Sequence, residues 1–128
     1  MAKKAVRGRT PPGVVSERPV VRQLRSRCLA FPETIETASW GHPNFRAGRK
    51  TFCTFEVVDG RPSIAFRVSP ADADLLLNRP RFFATPYGRG QWVSVWADTP
   101  LNWRSIGTML DRSYRLVANK RMTTALER

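Results

Sequence analysis

The apolar positions of this chain fall into short periodic stretches separated by breaks rich in Gly, Pro and Asp. Val20, Leu24 and Cys28 recur every four residues with Val21 beside them, the spacing of one helix face. Arg18, Arg22 and Arg25 fall opposite, which predicts an amphipathic helix of about three turns with a basic outer stripe. Ser16 is placed to cap it, Pro19 fits its first turn, and Pro32 follows its end.

Strand-like stretches follow. In residues 51–58, TFCTFEVV, Cys53, Phe55 and Val57 face one way and Phe52, Thr54 and Glu56 the other. Asp59-Gly60 is a two-residue hairpin turn signal. That turn pairs Val58 with Arg61, Phe55 with Ile64 and Cys53 with Phe66, so the apolar residues of both strands share a face. The same register sets Phe52 beside Arg67 on the other face, where an exposed ring suits base stacking or a cation–π pair. Upstream, Trp40 ends an extended segment, Gly41-His42-Pro43-Asn44 turns, Phe45 to Ala47 extends again, and Gly48-Arg49 turns into Lys50.

SPADADLLLNRP reads as a short helix capped by Ser69, with Pro70 first and Asp72 closing a variant capping box. Asp72 and Asp74 complement the helix dipole and are not read as a metal or acid–base pair. FFATPYGRGQWVSVWAD reads as strand, turn at Tyr87 to Gly90, strand, with Val93, Val95 and Ala97 on one face and Trp92, Ser94 and Trp96 on the other. A last helix starts at the cap Asn102, with Leu101 and Ile106 at staple positions and Trp103, Ile106, Leu110, Tyr114 and Val117 on one face. Gly107 within it reads as a point of close packing on the sheet, and residues 122–128 are expected to fray. Helix, antiparallel strands, short helix, hairpin and long helix predict an α+β two-layer sandwich over residues 16–121, one antiparallel sheet with helices packed on one face.

A chain of 128 residues that is 41% hydrophobic suits one domain with its own core. No apolar run is long enough for a membrane span. The start, MAKKAVRGRTPPG, lacks the apolar run of a secretory signal, so a cytoplasmic location is expected. Cys28 and Cys53 are too few for a disulfide framework or a four-ligand zinc site and read as buried free thiols. Residues 1–15 carry Lys3, Lys4, Arg7 and Arg9 and no acid, which predicts a disordered basic arm able to lie along phosphates or enter a minor groove.

Charge changes the picture most. Twenty-two Lys and Arg face ten Asp and Glu, a net charge of +12 that favours an anionic partner unless it merely reflects arginine-rich composition. Basic residues interleave with Trp40, Phe45 and Tyr87. Arg46, Arg49 and Lys50 are the candidates for phosphate contacts, with Arg67, Arg89 and the arm in support. No helix-turn-helix, zinc-finger or RNA-recognition signature accompanies them, so nucleic-acid binding of weak sequence specificity is expected. An acidic protein is the alternative partner, because it reads the same positive potential.

An enzyme built on the sole histidine, His42, would need a carboxylate partner and a nucleophile. No GxSxG, HExxH or Cys–His pattern is present, and Cys53 lies on an apolar strand face. His42 therefore reads as a turn residue in a non-enzymatic domain with no cofactor and no metal. Gly88-Arg89-Gly90 lacks the sequence context of a phosphate-cradling loop.

Three blocks in order, SWGHPNFRAGRKTFC, LLLNRPRFFATPYGRGQWVSVWAD and LDRSYRLV, resemble the MmcQ/YjbR-like family of small bacterial proteins over most of the chain. The resemblance implies a frataxin-like fold, described as a double wing and proposed to bind DNA. The chain departs from the family pattern in its long basic N-terminal arm and its arginine content. Frataxin-type iron binding needs an acidic ridge, and the scattered acids and arginine-rich first helix speak against it.

Overall fold

Tight turns build the sheet. In the computed structural model, which describes residues 18–87 and 89–128, α1 (Pro19–Leu29) precedes three hairpin-linked steps. β1 (Thr34–Ser39) turns into β2 (His42–Ala47), β2 into β3 (Lys50–Val58), and β3 into β4 (Arg61–Arg67). α2 (Pro70–Leu77), β5 (Phe82–Ala84), β6 (Trp92–Trp96), α3 (Trp103–Val117) and α4 (Lys120–Leu126) follow. The first and third turns have positive φ at both central residues, 56° and 80° at Trp40 and Gly41, 52° and 78° at Asp59 and Gly60. This is the backbone that a twisted two-residue hairpin requires.

The six strands form one antiparallel sheet in the order β1-β2-β3-β4-β6-β5. The β3–β4 register is the one the hydrophobic pattern demands, with Val58 opposite Arg61, Phe55 opposite Ile64 and Cys53 opposite Phe66. On one face Phe45, Phe55, Ile64, Phe66 and Val93 meet Val21, Leu24 and Cys28 of α1 and Ile106, Leu110 and Tyr114 of α3. The architecture is thus the expected α+β sandwich, with the other sheet face left open.

Several local expectations are corrected. Phe52 is not exposed beside Arg67. Phe45 pairs with Cys53 but Arg46 pairs with Thr51, so β3 carries one extra residue there. That bulge breaks the alternation and brings Phe52 to the core side with Cys53. Its ring is fully buried, edge-on to Phe31 and Tyr114 at 5.9 and 5.5 Å. Arg25 is not on an outer stripe; it is buried and bonded to Glu36 of β1. His42 and Pro43 are strand residues, because the turn falls two positions earlier at Trp40–Gly41.

The helix ends differ in detail as well. Ser69 Oγ accepts from the Asp72 backbone N–H at 3.2 Å, but the Asp72 carboxylate leaves the capping box to hold Arg112. Asn102 Oδ1 accepts from the N–H groups of Arg104 and Ser105, as its position implies. Arg18 is the N-cap of α1 and its side chain does not cap the helix, and Ser16 lies outside the described residues. A Cβ on Gly107 would meet nothing within 4 Å, so that glycine serves no close contact. The segment after residue 121 is not frayed: Asn119 Oδ1 caps α4 at the Met122 N–H, 2.9 Å away, and Met122 is buried. A Cβ on Gly48 would lie 3.2 Å from Met122 Cε, so α4 packs beneath the β2–β3 turn.

Candidate nucleic-acid interface

Antiparallel pairing brings distant basic residues together. The β2–β3 turn joins Ala47 to its partner Lys50. β4 ends at Arg67, opposite Trp92, where β6 begins. The turn and the loop between β5 and β6 therefore project from the same end of the sheet. Arg46, Arg49, Lys50, Arg67 and Arg89, from three separate stretches of sequence, all belong to that end. Arg49, Lys50 and Arg89 are exposed, and Arg46 and Arg67 are half-buried, Arg67 also bordering the cleft between α2 and α3. Lys3, Lys4, Arg7 and Arg9 lie outside the described residues.

Six of the ten acids pair with other arginines. Glu36 holds Arg25, Asp98 holds Arg61, Asp72 holds Arg112, Asp111 and Glu127 share Arg115, and Glu33 holds Arg121. Hydrogen bonds from Arg121 and Arg61 keep the Glu33 and Asp98 carboxyls below their ordinary range. Glu33 adjoins Thr34, the partner of Ala47, so Arg121 neutralises an acid near the basic end. Among the described residues, none of the five basic residues has a carboxylate within ion-pair reach.

Arg46 organises the turn. Its Nη2 donates to the Arg49 carbonyl at 2.5 Å, while its buried Nε has no protein partner. Lys120 is exposed at the start of α4.

The open face of the sheet holds a second feature, a groove of about 740 Å³. Trp40, His42, Asn44, Thr54, Glu56 and Tyr87 line it, with Trp92 at one side. Trp40 is 95% exposed and Tyr87 is also exposed, whereas Phe45, grouped with them by sequence, is a core residue. Glu56 Oε2 accepts from the Tyr87 hydroxyl and from Thr54 Oγ1, but Oε1 is buried without a partner. Burial and the Glu56 carboxylate push the Tyr87 phenol above its ordinary range, so it remains a donor. This groove was legible only as alternation: Asn44, Thr54 and Glu56 are the polar positions of strands whose other positions are apolar.

Cys28 and Cys53 are free and buried, as expected. Among the described residues, no group of three or more His, Cys, Asp or Glu is placed to hold a metal ion, and no helix is long and apolar enough to cross a membrane.

No curated protein matches the sequence closely enough to lend it an activity. The fold is shared with solved structures, among them the following two. A Pseudomonas syringae protein superposes with a TM-score of 0.64 at 18% identity, covering 75% of this chain and 97% of that one. A Deinococcus radiodurans protein described by a DUF419 domain superposes with a TM-score of 0.68 at 21% identity, covering 84% and 87%. The sequence pattern of the YjbR family matches residues 29–116, from the end of α1 to the last turn of α3. That match spans more than half of the sequence, and the chain belongs to the YjbR family.

Proposed function

We propose that this protein is a non-enzymatic nucleic-acid-binding domain that grips phosphates with the basic end of its sheet. The observation that carries the reading is the gathering of Arg46, Arg49, Lys50, Arg67 and Arg89 at one end without carboxylate partners among the described residues. Uncompensated cations on two projecting turns suit a ridged polyanion, and each phosphate they neutralise releases counterions. Contacts of this kind position the backbone and carry little sequence information.

The test is a titration of random duplex DNA, single-stranded DNA and RNA across a salt series. Affinity should fall steeply and linearly in log–log form as salt rises. Failure to bind any of the three below about 50 mM salt would overturn the reading and leave an acidic protein as the better partner.

A further inference from the structure

Among the described residues, no ring or cation stacks on Trp40. It occupies a turn position with φ of 56°, where Asn or Gly is the usual occupant, and its ring stands 95% exposed. Beside it, in the same groove, a carboxylate oxygen is buried with no donor. A strained, exposed aromatic next to an unfilled acceptor points to a ligand with a flat face and an N–H edge.

We propose, building on the nucleic-acid reading above, that the open-face groove takes one unpaired base bearing an exocyclic amino group, stacked on Trp40 and donating to Glu56. The groove is of ligand size, at about 740 Å³. Trp40 and Trp92 supply aromatic surface, and Asn44, Thr54 and Glu56 supply the polar edge. Thr54 Oγ1 bonds Oε2 and fixes the carboxylate, and Oε1 is left for the incoming donor. An incoming base reaches Oε1 by displacing the exposed Tyr87 ring.

The groove also lies where a held backbone would deliver a base. Arg46, Asn44 and His42 succeed one another on one face of β2, at steps of about 7 Å. A strand whose phosphate sits at Arg46 and Arg49 and runs along β2 passes Asn44 and His42 and brings a base about two nucleotides further on over Trp40. A duplex cannot present such a base, because both of its faces are stacked within the helix. Cytosine, adenine and guanine carry the required amino group and thymine does not.

The experiment measures affinity for oligo(dC), oligo(dA), oligo(dT) and a duplex, each of about twelve units, at one low salt concentration. The proteins are the full chain, Trp40→Ala and Glu56→Ala, with circular dichroism confirming that each variant is folded. The full chain should bind oligo(dC) and oligo(dA) above oligo(dT), with tryptophan fluorescence quenched on binding. Trp40→Ala should lose about tenfold or more on single strands and keep its duplex affinity. Glu56→Ala should erase the preference over oligo(dT). If both variants bind every strand as the full chain does, the groove inference is overturned and the basic-end reading stands. If the full chain binds no strand and no duplex, both fall.

Discussion

Arg25 and Glu36 form a bidentate ion pair inside the helix–sheet interface, Nε to Oε1 at 2.8 Å and Nη2 to Oε2 at 3.1 Å, with side chains 9% and 1% exposed. The pair ties α1 to β1, at the edge of the sheet. Removing Arg25 alone leaves a buried charge uncompensated, so Arg25→Ala should cost about 3–5 kcal/mol. Replacing both partners, Arg25→Met with Glu36→Leu, should restore most of that stability. Urea unfolding of the two variants checks this, and equal losses in both would show that geometry and not charge burial dominates.

The β3 bulge makes Phe52 a core residue. Phe52→Ala should destabilise by about 3–5 kcal/mol, through lost burial and a cavity between Phe31 and Tyr114. An exposed strand aromatic at that position would cost a few tenths of this, so a single denaturation curve separates the two placements.

Two glycines should respond oppositely to alanine. Gly107 lies within α3 with open space at its Cβ, so Gly107→Ala should add about 1 kcal/mol of stability. Gly48 has φ of 66° and faces Met122, so Gly48→Ala should lose about 1 kcal/mol or more. Thermal melts of the two variants should shift in opposite directions.

The Cys28 thiol is held well above its ordinary range of 9.0, first by burial and then by its contact with Cys53. A pKa raised on folding contributes stability that is complete below the unfolded value. That stability is lost as pH climbs from it toward the folded value. Unfolding free energy should therefore decline from about pH 9 upward, more steeply in the native chain than in Cys28→Ala. Matched slopes in the two proteins between about pH 8 and 10 would contradict this.

The fold was legible because period and turn chemistry agreed. Asp59-Gly60 fixed one hairpin, and the apolar positions of residues 53–66 accepted only its register. Phe52 was misplaced because a bulge depends on how β2 meets β3, a long-range fact that alternation along one strand does not contain. Arg25 was misplaced because helical spacing alone cannot reveal a carboxylate waiting on β1. At the basic end, the residue types were readable but their company was not. Arg46, Lys50, Arg67 and Arg89 become neighbours only through the strand order, and the groove at Trp40 needed the turn placed two residues earlier. The helix α4 was not legible, because its Asn119 cap and Met122 anchor lie in a stretch with weak periodicity.

The central claim is that the basic end of the sheet, and not the overall charge, contacts phosphate. Arg49→Gln with Lys50→Gln removes two charges from that end; Arg27→Gln with Arg104→Gln removes two exposed charges from the helix layer. The measurement is the slope of log affinity against log salt for single-stranded DNA in both double variants. The first pair should flatten the slope by about 1.4 and weaken binding, while the second leaves the slope near that of the native chain. Equal slopes in the two variants would contradict the account.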